Sequence, residues 1–218
     1  MKYKVVVFDL DGTILDTLED LADSLNYALR IRDFPERTVE ETRKFVGNGI
    51  RKLIERAVPA GTSPSEIDEV FAVFKEYYKE HCKDKTKPYK GIEELLLHLQ
   101  DSGCRTAVVS NKADFAVKSL CKSYFPGVID FAVGEREGIK RKPCPDSLWE
   151  VLRVLKVKLD EAIYIGDSEV DIETAVNAGT DCLIVDWGFR KRDFLQEKGA
   201  KRIVSSPEEI YGYIRGEQ

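Results

Sequence analysis

No stretch of the 218-residue chain approaches the ~20 consecutive apolar residues of a membrane span, so no membrane partner is expected. The N-terminal apolar run is short and ends in acid, which does not read as a secretory signal. Cysteines are few, odd in number and scattered: Cys82, Cys104, Cys121, Cys144 and Cys182 form no C-x-x-C. That argues against a disulfide framework and against structural zinc, and reduced thiols in a cytoplasmic protein are expected. Positive charge is not in excess, with 34 Lys and Arg against 39 Asp and Glu and a net charge of -5. Such a balance argues against non-specific binding to nucleic acid, while leaving room for a local basic pocket and a small anionic substrate. His81 and His98, the two histidines, sit in helical stretches and read as structural or surface residues. Repeats and low-complexity tracts are also missing. What remains is 43% hydrophobic and 33% charged, the balance of a globular chain.

Short apolar runs recur at 5–8, 106–109, 131–133, 162–165, 182–185 and 203–204, each followed by a turn or polar residue. Helical periodicity fills segments between them, at 91–102, 145–156 and 170–178. Strands alternating with helices predict an α/β fold: a Rossmann-like parallel sheet with helices on both faces. The first gap breaks the rhythm. Segment 17–31 carries Leu18, Leu21, Ala22, Leu25, Ala28 and Leu29 on one stripe, and 40–46, 50–58 and 65–81 also read as helices. This insertion is too large for a crossover. It predicts a helical domain over 16–87 set into a core domain of 1–15 and 88–218, with 83–87 as the return hinge.

The run "VVVFDLDGT" places Asp9 and Asp11 directly after a strand that reads as fully buried. In open parallel sheets, ligands bind beyond the carboxyl ends of the strands. Ser110-Asn111, Gly166-Asp167-Ser168 and Trp187-Gly188-Phe189-Arg190 follow other strands, and Asp171 lies four residues after Asp167. Each piece alone has an ordinary reading. Asp-Gly is a common turn, an Asp after a strand is often a helix cap, and Lys140-Arg141-Lys142 is usually a solvated patch. Together they crowd acids where acids repel. Two unit charges ~4 Å apart cost ~4 kcal/mol at an effective dielectric near 20. Either the carboxylates are exposed and apart, or something positive sits among them, and a hard divalent cation such as Mg²⁺ fits.

In this order, "VVVFDLDGTILDT", "VVSN", "KPCP" and "YIGDSEVDIETAVNAG" resemble the four motifs of the haloacid dehalogenase superfamily of phosphohydrolases. The match spans essentially the whole chain, and the helical insertion resembles that superfamily's C1-type cap. "VGNGIRKLIERA" and "WGFR" look like phosphoglycolate phosphatases and their close relatives. The resemblance implies Asp9 as nucleophile forming an aspartyl-phosphate, and Asp11 as general acid and then base. It implies Mg²⁺ held by Asp9, Asp167 and the Asp11 carbonyl, with Asp171 as ligand or support. Thr13, Ser110, Asn111 and Lys142 would bind the phosphoryl group. Asp11 argues against a dehalogenase or phosphonatase, whose motifs lack that acid, and Leu21 stands where the phosphoglucomutase relatives carry histidine.

Gly47-Asn48-Gly49 precedes a helix start, which offers free amides to an anion. Asn48, Gly49 and Arg51 are therefore the candidates for reading a carboxylate or second phosphate, against the plainer reading of a helix–helix turn beside a surface charge. The expected activity is hydrolysis of a small phosphorylated metabolite, with 2-phosphoglycolate the leading substrate and the chain acting as monomer or homodimer. A pyrophosphatase, nucleotidase or sugar-phosphate phosphatase is the alternative within the class. A phospho-signalling receiver or an inactive ligand-binding relative are the alternatives outside it. The cap-sized insertion argues against the receiver, and the intact acids argue against the inactive relative.

Overall fold

The structure is a computed structural model that describes residues 1–217. The chain divides into two compact units, Met1–Leu15 with Pro88–Gln218, and Asp16–Lys87. The chain starts with β1 (Val5–Phe8) and a two-residue strand β2 (Leu15–Asp16). Four helices follow: α1 (Leu18–Ile31), α2 (Val39–Phe45), α3 (Ile50–Ala57) and α4 (Pro64–His81). After β3 (Lys87–Pro88) come α5 (Ile92–Asp101), β4 (Arg105–Ala113), α6 (Asp114–Tyr124), β5 (Phe131–Glu135) and α7 (Asp146–Leu155). The chain continues through β6 (Ala162–Gly166), α8 (Glu169–Ala178), β7 (Asp181–Val185), α9 (Arg192–Glu197), β8 (Ile203–Val204) and α10 (Pro207–Arg215).

The first unit is built on a parallel six-stranded sheet in the order β5-β4-β1-β6-β7-β8. The reason β1 is apolar throughout is visible in its packing. Side chains alternate across a strand, so a strand covered on both faces needs apolar residues at every position. Val6 and Phe8 pack in a core with Ile92, Leu96 and Leu99 of α5 and Ile210 of α10. Val5 and Val7 pack on the other face with Leu148 and Val151 of α7 and Ala175 of α8. Each buried Val or Phe contributes roughly 1.5–3 kcal/mol relative to exposure. The strand order turns outward in both directions from β1, toward β4 on one side and β6 on the other. That reversal leaves a crevice at the carboxyl ends, the place where such sheets take ligands.

The helical unit has its own core of Leu21, Leu25, Leu29, Leu53, Ile54, Val70 and Phe74. Its helix starts follow from local chemistry. Thr38 and Ser63 each accept from the backbone N–H three residues on, and Glu41 and Glu66 reach back to complete the capping boxes. Buried Asp20 of α1 accepts from the backbone N–H groups of Lys85 and Thr86 at 2.9 and 2.8 Å. The chain's exit from this unit is thereby tied to its first helix. β2 and β3 pair as a two-stranded ribbon.

Helices α6, α9 and α10 are additional to the elements that the apolar spacing predicts, and β4 extends four residues beyond the apolar run 106–109. All five cysteines are free thiols. Among the described residues, no helix is long and apolar enough to cross a membrane.

Candidate active site

The loop after β1 is wound tightly on its own backbone. The N–H groups of Thr13, Ile14 and Leu15 all donate to the Leu10 carbonyl, at 3.3, 3.1 and 3.0 Å. Gly12 sits at φ +82°, and a Cβ there would lie 2.5 Å from Asp167 Oδ2. Only glycine meets both demands. The turn brings the Asp9 end of β1 against Asp167 at the end of β6. Asp9, Asp167 and Asp171 each offer a carboxylate oxygen within 4.8 Å of the others, and all three are buried.

Lys142 is the counter-charge. Its Nζ lies 2.9 Å from Asp9 Oδ1 and donates to Asp171 Oδ1 and Tyr164 Oη at 2.8 and 2.9 Å. An ammonium has three donors, and these contacts account for all of them. Burial works against a charged Lys142, but Asp171 and Asp9 beside it outweigh that and hold its pKa above the ordinary value. Burial pushes the Asp9 carboxyl up to about 7, with Lys142 opposing and Asp171 and Asp11 adding to the rise. The Asp167 carboxyl is driven well above its usual range by burial and then by Asp171 and Asp9. With all three acids ionised, the cluster holds two more negative charges than Lys142 neutralises.

Asp171 is bonded on both oxygens. Oδ1 accepts from Lys142 and Tyr164, and Oδ2 accepts from Ser168 Oγ at 2.7 Å and from the N–H groups of Asp167 and Ser168. Those bonds suit a residue that braces Lys142 and the start of α8. Asp167 Oδ2 accepts from the Phe189 N–H at 2.7 Å, and Oδ1 lies 3.4 Å from Thr13 Oγ1. The "WGFR" loop after β7 thus closes over Asp167, and Trp187 Nε1 donates to the Thr13 carbonyl at 3.1 Å.

Ser110 is buried within β4, just past the apolar run 106–109. Asn111 has a different setting from a ligand-facing amide. Its Oδ1 accepts from the Lys142 N–H at 2.8 Å and its Nδ2 donates to the Lys142 carbonyl at 3.0 Å. Asn111 clamps the backbone that carries the lysine. Two further residues at the site are assigned no role by the motifs. Tyr164 belongs to the apolar run 162–165, yet its hydroxyl joins Lys142 to Asp171. Lys112 donates to Asp11 Oδ1 at 2.7 Å and is 4% exposed. Its signal was strand alternation, since it stands two residues after Ser110.

Asn48, Gly49 and Arg51 lie in the helical unit. Gly47, Asn48 and Gly49 have φ of 120°, 63° and 86°, and Gly49 caps α3. The Arg51 guanidinium is held by Asp68 of α4 and, at 3.3 Å, by Glu55 one turn along α3.

The haloacid dehalogenase-like hydrolase family model matches residues 6–185. The chain is 32% identical over 200 residues to the phosphoglycolate phosphatase of Mesorhizobium japonicum, covering 88% of this chain and 86% of that one. It is also 32% identical over 189 residues to the phosphoglycolate phosphatase of Aquifex aeolicus, covering 86% and 87%. A crystal structure from Lactobacillus delbrueckii subsp. bulgaricus is 42% identical with a TM-score of 0.94, covering 98% of this chain and 99% of that one. The chain therefore belongs to the haloacid dehalogenase-like hydrolases. Within that family it stands with the phosphatases, as a phosphoric monoester hydrolase.

Proposed function

We propose that the enzyme is a Mg²⁺-dependent phosphatase that works through an aspartyl-phosphate and hydrolyses 2-phosphoglycolate. The observation that carries the reading is the buried meeting of Asp9, Asp167, Asp171 and Lys142 at the ends of β1 and β6. An all-oxygen donor set with two excess negative charges suits a hard divalent cation. Asp9, Asp167 and the Asp11 carbonyl would hold it, with Asp171 in support. Bound there, Mg²⁺ supplies charge neutralisation for the carboxylates and the phosphate oxygens.

The chain's own groups account for the remaining chemistry. Asp9 attacks phosphorus, the ester P–O bond breaks, and the leaving oxygen takes a proton from Asp11. Water then attacks the same phosphorus, the P–O bond to Asp9 breaks, and Asp11 takes the water's proton. The two acids have unlike surroundings, Asp9 buried beside Lys142 and Asp11 partly exposed beside Lys112, which suits a division of roles. Lys142, Ser110 and Thr13 would stabilise the charge that spreads over the transferring oxygens. Asn111 serves by holding the Lys142 backbone. The helical unit is the cap, and the 47–49 loop with Arg51 selects an anionic substrate.

Asp9→Asn should abolish Mg²⁺-dependent hydrolysis of p-nitrophenyl phosphate, and retained turnover would overturn the mechanism. The substrate rests on the names of the curated relatives. Across a panel of phosphate esters, 2-phosphoglycolate should show the highest kcat/KM. Preference for pyrophosphate, a nucleotide or a sugar phosphate would replace it.

A further inference from the structure

We propose that Lys112 is a positioning residue that holds the Asp11 carboxylate in place for both of its proton transfers. The inference rests on the reading of Asp11 as acid and base given above. The Lys112 side chain is 2% exposed and its Nζ lies 2.7 Å from Asp11 Oδ1, while the Asp11 side chain is 17% exposed. A buried ammonium reaches outward to a carboxylate at the accessible edge of the loop, where an ester oxygen must arrive. Burying an ammonium is costly unless it is paired, so the lysine has strong reason to stay on its partner.

The strand aims that lysine with unusual care. β4 and β5 pair at Val109↔Val133 and again at Ala113↔Glu135, so β4 spans four residues where β5 spans two. Such bulges redirect side chains beside functional sites. Lys112 lies inside this one, and its N–H donates to Ser110 Oγ at 3.2 Å. Across the pair, a Cβ on Gly134 would come 2.3 Å from the Lys112 carbonyl, so the β5 backbone is pressed against the bulge. Both ends of the Lys112–Asp11 contact are thus anchored, one by this bulge and the other by the wound loop after β1. Proton transfer depends on such placement, because a misplacement of ~1 Å can cost about 100-fold in rate.

The test uses Lys112→Met, Asp11→Asn and the double variant in the full-length protein with Mg²⁺. p-Nitrophenolate leaves without a proton, but hydrolysis of the aspartyl-phosphate needs the base. Lys112→Met should therefore keep a burst of about one p-nitrophenolate per active site, while its steady state falls ~10–100-fold. Adding Lys112→Met to Asp11→Asn should slow the enzyme no further. An unchanged steady state, loss of the burst together with the steady state, or a double variant as slow as the product of the single effects would each overturn the proposal. If Lys112→Met fails to fold, the double variant, which strands no charge, is compared with Asp11→Asn under conditions where urea unfolding shows both to be folded, and a further loss of turnover in the double variant overturns the proposal. Retained turnover in Asp9→Asn would instead remove the catalytic reading on which this rests.

Discussion

Lys142 and Arg51 each bridge two carboxylates, one in the α/β unit and one in the helical unit. Lys142 lies between Asp9 and Asp171, with side chains 4%, 11% and 0% exposed. Arg51 lies between Asp68 and Glu55, with side chains 40%, 60% and 28% exposed. The contacts look alike on paper, but solvent separates them. Water and salt screen the Arg51 network, so it can exchange partners at little cost. The Lys142 network is desolvated, so removing one member leaves a buried charge without compensation. A group meant to select among substrates benefits from the first condition. A group meant to be in place before any substrate arrives needs the second.

The largest effect is expected at the buried bridge. Lys142→Met should cost about 3 kcal/mol or more in urea unfolding, since Asp9 and Asp171 lose their partner, and phosphatase turnover should fall to background. A stability change no larger than that of a surface substitution would mean the cluster is far wetter than its burial implies.

A smaller effect is expected from the cation itself. Mg²⁺ at ~100 times its Kd should stabilise the fold by ~2.7 kcal/mol, read as a rise in Tm that EDTA reverses. Asp167→Asn should abolish that rise while leaving the protein folded, because it also removes a like charge from beside Asp9 and Asp171. A rise that survives Asp167→Asn would move the cation elsewhere.

The smallest effect belongs to the exposed bridge. Arg51→Ala should leave the urea midpoint unchanged within error. It should raise KM for 2-phosphoglycolate several-fold, well beyond its effect on p-nitrophenyl phosphate, which has no second anionic group. Equal effects on both substrates would reduce Arg51 to a surface charge.

Much of the architecture is legible in the sequence. The run 5–8 is apolar at every position because β1 is covered on both faces, and the periodic leucines of α1 and α5 face the two cores described above. Local chemistry also marks where helices begin, as at Ser63-Pro64 before α4. Helices α6, α9 and α10 were harder to read. α6 begins directly where β4 ends, so no loop composition separates them. α9 is six residues long, too short to display a repeat.

At the site, the residue types were legible and several partnerships were not. Asn111 reads as a ligand amide, and its side chain also clamps the Lys142 backbone, 31 residues away. Tyr164 looked like core and has its hydroxyl in the charge network. Lys112 looked like the residue after a motif and reaches back 101 residues to Asp11.

By itself, the sequence determined the strands, the inserted helical segment and the family, because these depend on apolar spacing and on short motifs read along the chain. The tertiary structure alone decided which charges share a buried space. That depends on strand order, on a bulge in β4 and on the tight turn at Gly12, which bring together groups up to 162 residues apart, such as Asp9 and Asp171. Electrostatic energy is set by distance and desolvation in space, and neither quantity is written in the order of the residues.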